Sequence, residues 1–179
     1  MSTREPGGPK RLLPSRLRRL RFFREMTPSD ARHLTRLGSL ATYGSGECLA
    51  TEGTRKQRRV LYVVVRGELE YVKRVRTERA SVVLRLGPGD AGGFLTLFND
   101  GPSPVSVRSV GRTTVFEIGR QELQALGGSQ PLLAAKLLGA LVRETAWRLD
   151  QLIAWMAATS AWALDLATQV ELFPHDTDG

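Results

Sequence analysis

The residues best placed to do chemistry in this chain are two adjacent glycines, Gly92 and Gly93, inside a stretch dense in turn formers. From Leu86 to Val110 it reads LGPGDAGGFLTLFNDGPSPVSVRSV, with a Gly-Pro-Gly turn before the pair and a second Gly/Pro turn after it. Loops of this kind between strands bring backbone N–H groups within reach of an anion. The plainer alternative is a compact surface loop that closes a β-barrel. Catalysis has little to work with. The chain contains no Gly-x-Ser-x-Gly, no His-Glu-x-x-His, no Walker loop and no Cys/His set with metal-ligand spacing. His33 falls among charged neighbours on a helix, where it reads as a solvated side chain, and His175 lies far away near the C-terminus. Cys48, the single cysteine, reads as a small core residue of a strand and excludes an intramolecular disulfide. An enzyme, a metal site and a cofactor are therefore not expected.

The elements that must position the glycine loop follow from the periodicity. Residues 1–14 are Pro- and Gly-rich and read as a flexible basic lead-in. Leu17, Leu20 and Phe23 then recur on one side of a short basic helix or turn. Thr27-Pro28-Ser29-Asp30 is a helix start, with Thr27 as cap and Pro28 in the first helical position. From Leu40 the period becomes two. Short β-branched runs punctuated by glycine follow, among them Val60–Val65, Leu69–Val75, Val82–Leu84, Val105–Val110 and Thr113–Ile118. Arg55–Arg59 reads as a basic turn between two of them. Closely spaced short strands with glycine turns predict an antiparallel sandwich or barrel. Hydrophobic residues at 41% and charged residues at 25% exclude a disordered chain. The net charge of +8 favours acidic partners without choosing among nucleotide, nucleic acid and anionic lipid. No apolar run is long enough to span a bilayer and the N-terminus lacks a signal-peptide core, so a cytoplasmic protein is expected.

Gly46-Glu47, Glu52-Gly53, Leu61-Tyr62-Val63-Val64-Val65-Arg66-Gly67-Glu68-Leu69 and Leu86-Gly87-Pro88-Gly89-Asp90 fall in an order that resembles cyclic-nucleotide-binding domains. These are the sensor halves of bacterial catabolite-activator-type regulators, protein kinase A regulatory subunits and gated channels. The resemblance runs from about Arg16 to Leu152. It implies a mainly β fold with flanking helices: an eight-stranded antiparallel jelly roll, N-terminal helices and a long C-terminal dimerisation helix. The expected division is a jelly-roll domain with its helices at 15–130, a long helix at 131–173 and a tail at 174–179. In that family the glycine loop is the phosphate-binding cassette, with a Glu for the ribose 2′-hydroxyl and an Arg for the cyclic phosphate. Here the cassette maps onto Gly92, Gly93, Phe94, Leu95, Thr96, Ser103, Pro104, Val105, Ser106 and Arg108. Phe94 stands at the Glu position, Ser103 at the Arg position, and Pro104 replaces a small donor residue. Two charge-assisted contacts at roughly 1.5–3 kcal/mol each leave a deficit of about 3–6 kcal/mol, a hundred- to ten-thousandfold in affinity. Arg85 and Arg108 are the nearest replacement charges. A structural pocket is the expectation, with a non-standard ligand (a cyclic dinucleotide, or an apolar molecule beside Phe94) as the alternative.

After Pro131 no proline occurs before Pro174, so one helix of up to roughly 60 Å is predicted. Val142, Leu149, Met156, Ala163 and Val170 recur every seven residues. Thr145, Leu152, Thr159, Leu166 and Phe173 form the companion series three residues later. This is an a/d seam of the coiled-coil kind. Val142, Leu149, Leu152, Trp155, Met156, Trp162 and Leu166 are the expected interface, either with a second copy or with another protein. The alternative is a helix folded back on its own domain, or two helices broken near Ala157–Ser160. The sequence contains no recognition helix after the seam, so specific DNA readout is not expected. The expected function is a non-enzymatic regulatory or adaptor domain acting through protein contacts, homodimeric and able to dispense with cyclic AMP or GMP. The alternatives are a ligand sensor that signals through the helix and a nucleic-acid-associated regulator using its basic N-terminus.

Overall fold

The computed structural model describes residues 11–54, 59–76 and 79–171; of residues 75, 76, 79 and 163–171 it describes the backbone alone. Residues 55–58 of the turn expected at Arg55–Arg59, the first ten residues and those from 172 lie outside that description. The chain divides into two compact units with the boundary between Leu141 and Val142.

The first unit is the jelly roll with its helices. Its strands are β1 (Ser39–Tyr43), β2 (Cys48–Ala50), β3 (Val60–Arg66), β4 (Leu69–Arg76), β5 (Arg79–Leu86), β6 (Ala91–Gly92), β7 (Ser106–Ser109) and β8 (Thr113–Gly119). They form two four-stranded sheets, ordered β1-β8-β3-β6 and β2-β7-β4-β5, with every pairing antiparallel. The helices are α1 (Pro14–Leu17), a 3-10 turn at Arg21–Phe23, α2 (Pro28–Leu37), α3 (Phe94–Leu97), α4 (Arg120–Ser129) and α5 (Pro131–Glu171). The mainly β roll with flanking helices and a long last helix is as the sequence predicts. Among the described residues no helix is long and apolar enough to cross a membrane.

Strand β3 explains why the fold holds together. Successive side chains of a strand point to opposite faces, and both faces of β3 are covered. Leu61 and Val63 join a cluster with Leu17, Phe22, Phe23, Leu34, Phe116 and Ile118, beneath the helices. Tyr62 and Val64 join the other cluster, between the sheets, with Leu69, Tyr71, Leu86, Val107 and Val115. A strand buried on both sides needs apolar residues at every position, which is why Val60–Val65 shows no alternation.

The Gly-Pro-Gly-Asp turn anchors the helical layer. Gly89 sits at φ +91°, and a Cβ there would lie 3.0 Å from the Arg21 nitrogen. This close approach lets the Phe22 N–H donate to the Gly89 carbonyl at 3.2 Å. The Arg21 guanidinium meets the Asp90 carboxylate at 2.8 Å, while the other Asp90 oxygen accepts from the Gly87 N–H. At the start of α2 the Thr27 hydroxyl accepts from the Asp30 N–H and the Asp30 carboxylate accepts from the Thr27 N–H, a reciprocal capping box. The second Asp30 task is an ion pair with Lys136 of α5 at 2.8 Å.

Two local expectations change. Leu12, placed in the lead-in by composition, is buried in the core beneath the helices. Cys48 is exposed, not a core residue; it stands where the β2–β7 register slips between Cys48 and Ala50, so β2 does not seal against the interior there. His33 is half-buried on α2.

Phe23 is fully buried and makes edge-to-face contacts with Phe22 at 4.9 Å and Phe116 at 5.9 Å between ring centres. Phe23→Ala is expected to cost about 3–5 kcal/mol of stability, measured by urea unfolding; a loss under about 1 kcal/mol would contradict this packing. For Asp30, burial pushes the carboxyl pKa up, but the hydrogen bonds from Lys136 and from the Thr27 backbone and hydroxyl outweigh it and hold it below its usual 3.8. A folded pKa below the unfolded one gives stability that is present above about pH 4 and lost as pH falls through the folded value. The stability difference between wild type and Lys136→Met should therefore be constant near neutrality and shrink in acid. Unfolding measured across that range checks it.

Candidate functional site

The register of the sheets brings the site together. Tyr62 of β3 is paired with Glu117 of β8 on one side and with Gly92 of β6 on the other. Their row faces the second sheet, where Tyr71 of β4 is paired with Val107 of β7. Tyr43, at the end of β1, completes the group, so all three tyrosines of the chain lie here.

The three phenols and the acid are joined by short hydrogen bonds. The Tyr62 and Tyr71 hydroxyls meet at 2.6 Å, and the Tyr43 hydroxyl donates to a Glu117 carboxyl oxygen at 2.6 Å. All four residues are buried. The Tyr71 hydroxyl also accepts a long bond, 3.4 Å, from the Gly93 N–H. What remains between the sheets is a cavity of about 30 Å³. That is room for about two water molecules, against roughly 300–1,000 Å³ for a usual ligand pocket. Its walls include the tyrosines, Glu117, Leu49 and Val60, and among the described residues no lysine or arginine.

The cassette closes one end. Gly93 caps α3 at φ +93°, and a Cβ there would fall 2.0 Å from the Val60 carbonyl oxygen, so glycine is required for the turn to approach β3. Of the residues the sequence assigned to the cassette, Gly93, Leu95, Thr96, Ser103, Pro104 and Val105 line the cavity. Gly92 lies beside it, its Cα so near the tyrosine rings that a Cβ would meet the Tyr71 hydroxyl at 2.5 Å. Phe94 turns the other way and packs against the core beneath the helices.

The cassette's polar groups are already partnered within the protein. The Thr96 hydroxyl donates to the Gly93 carbonyl at 3.1 Å. Ser103, expected from the sequence to stand at the family's Arg position, is buried and donates its hydroxyl to the Val105 carbonyl at 2.7 Å. Its backbone exchanges bonds with Gly53 and Thr54. The Ser106 hydroxyl accepts from the Glu52 N–H at 3.0 Å. Glu52 in turn pairs with Lys73, whose ammonium also donates to the Pro104 carbonyl. The hydrogen bond from Lys73 and one from the Arg74 backbone hold the Glu52 carboxyl below its ordinary pKa.

The replacement charges are also engaged. Arg108 is not among the cavity-lining residues; on β7 it alternates with Val107 and is exposed where Val107 is buried. Its guanidinium bonds the buried Glu70 carboxylate, and Arg85 reaches Glu70 at 3.7 Å and Glu68 at 2.8 Å. What sequence reasoning missed is the tyrosine group. A signal was present, since a buried phenol demands a partner and all three tyrosines fall in strands, but nothing in the sequence paired Tyr43 with Glu117.

Comparison with known proteins agrees with this geometry. The model of the family described as Cyclic nucleotide-binding domain matches residues 40–129. A CRP-like cAMP-activated global transcriptional regulator of Mycobacterium tuberculosis is 25% identical over 127 residues, 71% of this chain and 56% of the relative. The chain thus spans a little over half the length of that curated relative. Among solved structures, the N-terminal domain of a transcriptional regulator from Streptomyces coelicolor superposes with a TM-score of 0.63 at 26% identity, covering 76% of this chain and 94% of that one. A cyclic nucleotide-binding domain from Methylobacillus flagellatus gives 0.68 at 19% identity, covering 76% of each chain. Thermus thermophilus catabolite activator protein gives 0.62 at 21%, covering 76% and 62%; these last two show the shared fold alone. With its roll, its cassette outline and more than half its length matched, this chain belongs to the cyclic nucleotide-binding domain family.

Proposed function

We propose that this protein is a regulatory module of the cytoplasm that keeps the family's sensor fold but does not take cyclic AMP or GMP in the usual way, and that it acts through protein contacts as a homodimer. The observation that carries this reading is the filled cavity: about 30 Å³, with an acid and, among the described residues, no base in its walls. A cyclic phosphate entering it would gain no cation from the described lining and would have to displace the Tyr62–Tyr71 pair. Burying an ionised group without a partner is costly. The Mycobacterium tuberculosis relative is cAMP-activated by name; this chain carries serine at the position expected to hold the phosphate-binding Arg, and its Arg108 is engaged by Glu70. Calorimetric titration with cyclic AMP and cyclic GMP is expected to show no binding in the micromolar range. Micromolar affinity for either would overturn the reading.

The second unit supports the contact half of the proposal. Every residue from Gln151 to Trp162 of α5 is exposed, and most are apolar. Val142, Leu149, Leu152, Trp155, Met156 and Trp162 are between 49% and 67% exposed. Leu166, assigned to the same seam, lies outside the residues whose side chains are described. A helix that is apolar on so much of its surface requires cover, and a seven-residue repeat is met best by a helix carrying the same repeat. A second copy of this chain supplies one. Sedimentation should give a dimer at micromolar concentration, and the double change Leu149→Glu with Leu152→Glu should give a monomer whose thermal unfolding remains cooperative. A monomeric wild-type protein would sink the homodimer.

A further inference from the structure

A second cavity lies outside the cassette, within the first unit. It is a groove of about 260 Å³ between α3, α4 and the first turns of α5. Leu97 and Phe98 form one wall, Leu123 and Leu126 a second, and Leu137 and Leu138 a third. Arg120, at the start of α4, is the one charged residue lining it among the described residues. The β3–β8 register sets Val60 opposite Gly119, and the Arg120 N–H donates to the Arg59 carbonyl, so the two arginines stand side by side. Both guanidinium groups bond the same oxygen of the exposed Asp100, Arg59 at 2.6 Å and Arg120 at 2.9 Å. Two cations therefore share one carboxylate beside an apolar slot.

We propose that this groove binds a small amphiphilic anion, a medium-chain carboxylate, with its tail between α3, α4 and α5 and its charge on Arg120 and Arg59. The volume falls just below the usual range for small-molecule pockets and far above the tyrosine-filled cavity. The lining offers an acyl chain many apolar contacts, and a nucleotide base or sugar almost no hydrogen-bond partners. The paired arginines match a carboxylate, which accepts from planar guanidinium groups in a fixed geometry. The occupied groove would join the cassette helix to α4 and α5 without involving the cassette's own cavity. The proposal does not rest on whether the cassette's cavity takes a cyclic nucleotide.

The test is calorimetric titration of the full chain with octanoate, and with 1-octanol as the uncharged equivalent. Octanoate is expected to bind saturably and 1-octanol about tenfold or more weakly, the difference a charge-assisted contact makes. Arg120→Gln, at a partly exposed position, should abolish the preference for octanoate. Phe98→Ala, which removes an exposed wall, should weaken both ligands. No saturable octanoate binding below its micellar concentration would overturn the proposal. So would binding unchanged by both substitutions, or binding seen only after Leu149→Glu with Leu152→Glu, which would assign the groove to a second copy of the chain.

Discussion

Polar groups enclosed between two sheets must find their hydrogen bonds inside the protein, and that constraint shapes this molecule's centre. Leaving one buried donor or acceptor unmade costs about 1–3 kcal/mol. Three phenol hydroxyls and a carboxyl group are enclosed here, and they bond to one another: Tyr62 to Tyr71 across the sandwich, Tyr43 to Glu117 along one sheet. In this chain a ligand would have to break made bonds, expel two rings and offer equivalent partners in return. The cassette follows the same logic, since Gly93, Thr96 and Ser103 direct their polar groups to Tyr71, to Gly93 and to Val105.

How much of this the sequence reveals depends on whether a signal is local. The capping box at Thr27 and Asp30, the glycine turns and the strand-rich middle are set by neighbouring residues, and they are legible. The Gly-Pro-Gly-Asp turn is legible as a turn, but its purpose is not, because Arg21 and Phe22 meet it from 67 to 69 positions away. β3 is the instructive case. Being covered on both faces, it gives no alternation that would say whether Tyr62 or Val63 looks into the roll. Tyr62 therefore cannot be placed against Tyr71 or Glu117 from sequence.

The cassette shows a related limit. The expectation that the usual Glu and Arg are missing comes from position alone. Which way the substitutes point is a tertiary matter. Phe94 follows a glycine with positive φ, and that turn sends its ring into the core beneath the helices instead of toward the cavity. Arg108 is one residue past the cavity-lining Val107, and the strand's period of two puts it on the solvent side with Glu70. Cys48, read as a core residue from its type and its strand, is exposed where the register slips in a three-residue strand.

The long helix raises a different question, which is how wide its covered face must be. A two-stranded seam needs apolar a and d positions and usually carries charge at e and g. Here the d series alternates threonine with leucine at Thr145, Leu152 and Thr159, which is modest for a seam on its own. The flanking positions carry Ile153, Trp155 and Trp162 in place of the usual charges. Tryptophan is costly to leave in water and effective when buried at an interface. The apolar stripe is thus broader than a and d alone, closer to that of a helix facing a core than to that of a narrow zipper. A partner helix that covered only the a/d edge would leave both tryptophans wet, so the surface favours a contact that wraps onto the g side as well.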